Sequence, residues 1–387
     1  MPRRTRAPKD DAPFPPGWEP FLAAICADPG DDTARLVLAD WLQENGDELR
    51  AEFIRVQCEL FRAYPNYDND FAGARAAFTA EQRGRWEREG NLFNLHRSRW
   101  TDGFPKWARG SRFRRGFAFS FTATAQRWLA DGERVRRLTP VEVLSLERFE
   151  GLEREVLLAP SLVGLDRLFL PDLASGGARV LADSPALDSL TGLAVGAGGR
   201  WILGGDETAF LGSARLANLR HLWLRSNPIG DAAALAVAAS RALTRLEEVT
   251  ISNAQMQARG FAALVESPNL ERVRVLNVQA NGFANRGVLA LVGSKLASLD
   301  ELNMRYCGLT AAAAGLLASW PGLRSVRVLR LGGNNFGAAA ARTLLASEHL
   351  ANVVTLELPK LGITKAEHEA LFALPEYQRI ASVSLVS

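Results

Sequence analysis

Leu299-Asp-Glu-Leu302-Asn-Met304, Val326-Arg-Val-Leu329-Arg-Leu331 and Val353-Val-Thr-Leu356-Glu-Leu358 place apolar residues at the first, fourth and sixth positions of one frame. Working backwards, the same frame fits Val273-Arg-Val-Leu276-Asn-Val278, Leu246-Glu-Glu-Val249-Thr-Ile251 and Leu219-Arg-His-Leu222-Trp-Leu224. Forwards, it fits Ile380-Ala-Ser-Val383-Ser-Leu385. The last apolar position falls at 224, 251, 278, 304, 331, 358 and 385, so the intervals are 27, 27, 26, 27, 27 and 27. Alternation inside the frame predicts a short strand with one buried face. Recurrence at this period predicts a stacked array, because one strand and one helix cannot bury their apolar faces alone.

The register is looser upstream. Leu165-Asp-Arg-Leu168-Phe-Leu170 and Val141-Glu-Val-Leu144-Ser-Leu146 fit. Leu187-Asp-Ser-Leu190 begins a strand that degenerates at Thr191-Gly192, and a glycine-rich insertion within 192–205, carrying Arg200 and Trp201, is expected to be a contact loop or a bend. Phe117-Ala-Phe-Ser-Phe121 alternates as a capping strand would. Between the strands, Ala-rich segments with helical spacing predict helices over Asp231–Arg241, Ala258–Val265, Arg286–Val292, Ala311–Ser319, Ala338–Ala346 and Lys365–Ala373.

Extended by three places, the frame reads L-x-x-L-x-L-x-x-N/C, with Asn227, Asn281, Cys307 and Asn334 at the last place. In this form the units resemble leucine-rich repeats of the helix-containing, ribonuclease-inhibitor-like type, over residues 113–387. The resemblance implies an α/β solenoid, a horseshoe with a parallel β-sheet on its concave face and helices on its convex face. It also implies a structural ladder in which those four side chains bond backbone groups beyond each strand. Ala254 and Leu361 occupy the same place without the side chain, so interruptions are expected there.

The N-terminal part is of another kind. Residues 1–16 are proline-rich and read as a disordered leader, and 63–112 as an aromatic- and Arg-rich connector, helical in part. Pro20–Cys26, Thr33–Leu42 and Glu48–Phe61 have helical apolar spacing, with Asp32 or Thr33 placed to cap the second helix. Ala39-Asp-Trp-Leu42 with Arg50-Ala-Glu-Phe-Ile54 resembles a short bacterial repeat-companion domain over residues 17–62, a module of undefined role that precedes repeat arrays. Asp40 and Glu52 are expected to pair with Arg35, Arg50 or Arg55.

Composition bounds the rest. The 387 residues are 47% hydrophobic and 23% charged, which excludes global disorder. No apolar run reaches the roughly 18 residues of a membrane span, and no apolar region follows the basic start, so neither a transmembrane helix nor a secretory signal is expected. Three scattered cysteines fit a reducing, cytoplasmic setting, with Cys26 and Cys58 expected in the core. The net charge of +3 resides in residues 1–140, which hold 23 Lys and Arg against 20 Asp and Glu. Motifs for catalysis fail one by one. The run at Gly196 lacks the third dinucleotide glycine, and Phe372 stands where a zinc protease needs a second histidine after His368-Glu369. Four scattered histidines offer no zinc spacing. No enzyme, metal or cofactor is expected.

Partner binding is the remaining reading. In the repeat frame the third, fifth and seventh positions face away from the core. The candidate surface is Arg167, Phe169, His221, Trp223 and Arg225, continued by Asn277, Gln279, Asn303, Arg305 and Arg330. Trp and Arg are the residue types that dominate binding hot spots. The expected function is a non-enzymatic, monomeric scaffold that binds a protein on its concave face. One rival is a regulator of an enzyme, such as a GTPase-activating array. Another is nucleic-acid binding through a basic patch, Arg97, Arg99, Lys106, Arg109, Arg112, Arg114 and Arg115, interleaved with Trp and Phe. Capping of the array by those aromatics, with the Arg heads at the surface, is preferred to an acidic protein partner, and that in turn to nucleic-acid binding.

Overall fold

A computed structural model describes residues 14–65, 67, 70–173, 175–196, 209–226, 228–360, 364, 369, 373–378 and 380–386. The chain divides into two compact units, Met1–Ser145 and Leu146–Ser387.

The first unit begins with three helices: α1 (Glu19–Ala27), α2 (Thr33–Glu44) and α3 (Glu48–Ala63). Then come α4 (Phe71–Ala77), α5 (Ala80–Trp100), the antiparallel pair β1 (Arg112–Arg114) and β2 (Phe117–Thr124), and α6 (Ala125–Arg136). Local chemistry sets the helix starts. Thr79 and Gln82 form a reciprocal capping box on α5, and the Asp47 carboxylate accepts from Arg50 N on α3. At α2 the cap differs from expectation: Asp31, not Asp32 or Thr33, accepts from Thr33 N at 2.9 Å and from the Thr33 hydroxyl at 2.7 Å. That leaves Asp32 to bond Arg62 and Arg115.

The sequence boundaries at 16, 62 and 112 do not coincide with separate cores. Phe14 and Phe117 are buried in one cluster with Trp18, Leu22, Ile25, Leu38, Leu42, Ile54 and Cys58. Phe14 therefore belongs to the fold, and residues 1–13 of the expected leader lie outside the described residues. A segment of some 45 residues buries too little surface to close its own core, so the hairpin and the connector complete it. Gly116, at φ +88°, shows how tightly: a Cβ there would stand 2.4 Å from Ile54 Cγ1. Cys58 is buried as expected, but Cys26 is exposed, because the inward positions of α1 are Leu22 and Ile25.

β3 (Val143–Glu147) spans the division. The second unit then holds β4 (Arg167–Leu170), β5 (Gly192–Val195), β6 (His221–Arg225), β7 (Glu248–Ser252), β8 (Val275–Asn277), β9 (Glu301–Asn303), β10 (Val328–Arg330), β11 (Thr355–Pro359) and β12 (Ser382–Val386). Each is parallel to the next in chain order. Leu168, Leu193, Leu222, Val249, Leu276, Leu302, Leu329 and Leu356 are in register and wholly buried. Burying each such side chain contributes about 1.5–3 kcal/mol before entropy is counted, so the stack supplies the core of this unit.

The expected helices at 231–346 appear at Asp231–Ala239, Ala258–Glu266, Ala284–Gly293, Ala311–Ala318 and Ala338–Leu345. That at 365–373 and the glycine-rich insertion, with Arg200 and Trp201, lie almost entirely outside the described residues. One frame was misplaced. The strand after β4 is Leu190-Thr-Gly-Leu193-Ala-Val195, three residues later than Leu187 and Leu190 indicate, so this repeat is regular as far as Val195. Leu187 instead ends up buried in a short 3-10 turn before the strand.

Candidate functional site

Four residues from three strands meet on the sheet face turned away from the buried leucines. Register places Phe169 of β4 opposite Ala194 of β5, and Ala194 opposite Trp223 of β6. Because β5 offers only Gly192 and Ala194 here, the two large rings lean over it and stack, with centroids 5.7 Å apart and planes 13° apart. A Cβ on Gly192 would come within 3.1 Å of Trp223 Cζ3 and 3.0 Å of Arg167 Cγ. The imidazole of His221 stacks on the indole at 5.6 Å. Glu248 of β7 locks the group from the other side: Trp223 Nε1 donates to its Oε1 at 2.6 Å, and His221 Nδ1 lies 3.5 Å from its Oε2.

Burial opposes ionisation of Glu248, yet the bonds from His221 and Trp223 and the charges of His221 and Arg225 outweigh it, holding the carboxyl below its ordinary value. The result is a rigid, half-buried aromatic platform with Arg167 half-buried at one side and Arg225 exposed at the other. Trp223 is not the fully exposed indole that its position in the frame implies, since its neighbours cover part of it. Glu248, which the sequence reading did not single out, was recoverable from the 27-residue register that sets it beside His221.

The other predicted residues form a separate polar group. Asn303 donates to Gln279 Oε1 at 3.2 Å, and Asn277 and Asn303 each accept from the backbone N–H two residues on, Gln279 and Arg305. Arg305 makes a bidentate ion pair with Glu357, and Arg330 pairs with Glu301. The sequence offered these arginines as ligands for a partner; the parallel register brings carboxylates to them, Glu301 from the strand next to Arg330 and Glu357 from two strands beyond β9 to Arg305.

The ladder positions sit beyond the strands. Asn281 accepts from Ala254 N and Met256 N and donates to Ile251 O and Val278 O at 2.7 and 2.8 Å. Asn334 repeats this with Cys307 N, Leu309 N, Met304 O and Leu331 O. Between them the Cys307 thiol, pushed up to about 12 by burial, donates to Val278 O at 3.2 Å. Ala254 has no side chain to reach back, and its carbonyl accepts from Gly230 N at 2.7 Å just as that of Cys307 accepts from Ala284 N at 3.0 Å, so the backbone link persists where the side-chain rung is missing. Asn227 and Leu361 lie outside the described residues.

In the first unit the basic segment is mostly exposed, with Arg114 half-buried and Arg115 alone buried, and most of its guanidinium groups are engaged within the chain. Arg115 is buried and reaches Asp32 and Glu142, both at 3.4 Å. Arg99 pairs with Asp47, Arg97 and Arg109 donate to the carbonyls of Arg109 and Phe104, and Arg112 and Arg114 lie over the ring of Phe119. Lys106 is exposed. The Arg115 head lies in the core, where Glu142 compensates its charge. Asp40 pairs with Arg55 as expected, but Glu52 binds Arg88 through two bonds, while Arg35 and Arg50 point into the interior. Among the described residues no group of three or more His, Cys, Asp and Glu could hold a metal ion, and no helix is long and apolar enough to cross a membrane.

Comparison with known proteins bears on the second unit. Residues 215–238 match the family model described as Leucine Rich repeat. The chain is 30% identical over 167 residues to a ribonuclease inhibitor of Sus scrofa, covering 40% of this chain and 37% of that protein, so it spans little more than a third of this relative's length. Solved structures with similarity include the yeast Rad7–Elc1 complex (TM-score 0.45, 15% identity, 62% of each chain). An internalin of Listeria monocytogenes is another (TM-score 0.40, 18% identity, 65% of this chain and 69% of that one). Proteins built from such repeats generally mediate protein–protein interaction. With its 27-residue register, parallel strands and ladder side chains, the C-terminal unit is similar to leucine-rich repeat arrays of the ribonuclease-inhibitor-like type.

Proposed function

We propose that this chain is a non-enzymatic scaffold that binds a partner protein on the strand face of its repeat array, centred on the platform of Phe169, Trp223 and His221. The observation that carries the reading is the stack across Gly192 and Ala194, buttressed by Glu248. Aromatic rings held in one arrangement before binding lose little conformational freedom when a partner covers them, so more of the contact energy appears as affinity. Arg167 and Arg225 flank the rings and supply the polar rim of such a contact. The porcine relative is named as an inhibitor of ribonuclease, which accords with action by binding another protein. The rival readings have less support: Arg305 and Arg330 already hold carboxylates, and Arg99 and Arg115 of the basic segment do too.

The test is a pull-down from lysate of the native cells, quantified by mass spectrometry, with wild type, the Phe169→Ala/Trp223→Ala double variant, and Arg220→Ala as a surface control. A protein retained by wild type and by the control should be lost by the double variant, with affinity down about 30-fold or more, as at a hot spot. Equal retention by all three would sink the platform reading.

A further inference from the structure

The second place of the repeat frame, immediately before each strand, forms a column along one edge of the sheet, stacked by backbone bonds. Arg327 N donates to Asp300 O at 2.8 Å, Val354 N to Arg327 O at 2.8 Å, and Ser382 N to Val354 O at 3.0 Å. The side chains of this column are matched two by two. The Thr191 hydroxyl donates to Asp166, Arg220 pairs with Glu247 at 2.7 Å, and Arg274 pairs with Asp300 at 2.7 Å. The next couple in the series is Arg327 with Val354, and here the acid is missing. Among the described residues the Arg327 guanidinium has no ion pair, and Val354 is 42% exposed, one of the few large apolar side chains left open in this unit. A cleft of about 540 Å³ opens at this place, lined among others by Arg324, Arg327, Asn352, Val354 and Ala381. Arg324 is partly engaged, donating to Glu348 at 2.9 Å and to His349 Nδ1 at 3.0 Å.

We propose that this cleft binds an acidic residue adjoining an aliphatic one on a partner protein, a second contact distinct from the aromatic platform. The carboxylate takes the place that Glu247 and Asp300 fill in the preceding couples, and the aliphatic side chain covers Val354 and Ala381. A carboxylate alone would leave that apolar floor exposed to water, so the chemistry favours a peptide surface over a small anion.

The test uses fluorescence anisotropy on the full chain with a labelled peptide of alternating Glu and Leu, and with its counterpart carrying Gln for every Glu. Wild type should bind the Glu peptide about tenfold or more tightly than the Gln peptide, with the advantage shrinking as salt is raised. Arg327→Gln should remove about that factor. Val354→Glu supplies the acid within the chain and should abolish binding; both positions are exposed, and unchanged melting curves would verify that the variants fold. Trp223→Ala should bind the Glu peptide as wild type does, so loss of the platform reading and loss of this one are separable. Equal binding of the two peptides, no binding of either, or undiminished binding by Val354→Glu would overturn the proposal. A Trp223→Ala variant that loses the peptide would do so too, by moving the contact to the platform.

Discussion

In the N-terminal unit Arg35 and Arg50 are almost wholly buried and Arg115 nearly so, while in the repeat unit Arg220 and Arg274 lie along an exposed edge. Arg35 and Arg115 share one carboxylate oxygen of Glu142, at 3.2 and 3.4 Å. Burial and the neighbouring Arg115 lower the Arg35 pKa, with Glu142 opposing them. Arg50 is enclosed by the rings of Phe14, Phe53, Trp100, Phe113 and Phe117 and donates to Gly116 O at 2.5 Å. Burial brings it down to about 9, which leaves it a cation at neutral pH. Cation–π contact with several rings replaces the water it has lost. The repeat unit needs none of this. Its core is one apolar pattern stacked on itself, and charge is consigned to the faces and edges, where among the described residues only Glu357, paired with Arg305, is buried. The difference teaches that a periodic sequence can build a core from shape alone, whereas a short aperiodic one uses a few charged groups to fix which surfaces meet.

The largest effect that could break this comparison concerns Glu142. Glu142→Gln leaves two buried guanidinium groups facing each other with only Asp32 near Arg115, and should cost about 3–5 kcal/mol. Urea unfolding followed by a probe in the first unit measures it, and a loss below about 1 kcal/mol would show that the buried charges matter no more than surface ones. Next comes the ladder. Asn334→Ala strands backbone groups that now have four bonds and should cost about 1–3 kcal/mol, whereas Asn334→Cys, imitating Cys307, should retain part of that through its thiol donor. If the two variants were equally stable in denaturant titrations, the ladder would be packing rather than hydrogen bonding.

The smallest effect belongs to the platform. The Glu248 carboxyl is held below its ordinary value of 4.5, so its stabilising bonds are fully present above that pH and are lost as pH falls through the lower, folded-state value. Wild type should therefore lose, between neutral pH and about pH 3, an increment of about 1 kcal/mol or less that Glu248→Gln does not lose. Parallel melting-temperature profiles for the two proteins would remove Glu248 as the buttress of Trp223.

Much of the second unit was legible in the sequence because its cause is local and repeated. One apolar frame every 26 or 27 residues assigns strand, buried face and neighbour together, and the Asn and Cys positions follow from the same count. The weak frame at Leu187 misled because two leucines three apart fit the pattern equally well from Leu187 or from Leu190, and only pairing with β4 chooses between them. The rings of Phe169 and Trp223 were placed on the right face, but their contact depended on Gly192 and Ala194 in the strand between, whose smallness acquires meaning only in three dimensions.

The sequence by itself thus determined the array: its period, its inward leucines and the positions that look outward, since hydrophobic burial at a fixed spacing allows few other arrangements. Tertiary structure alone decided which outward charges are spent on one another and which remain. Arg305 meets Glu357 across 52 residues, Arg35 meets Glu142 across 107, and Arg327 meets no acid among the described residues. Charge pairing acts through space over a few ångströms and takes no account of distance along the chain, so only the folded register reveals it.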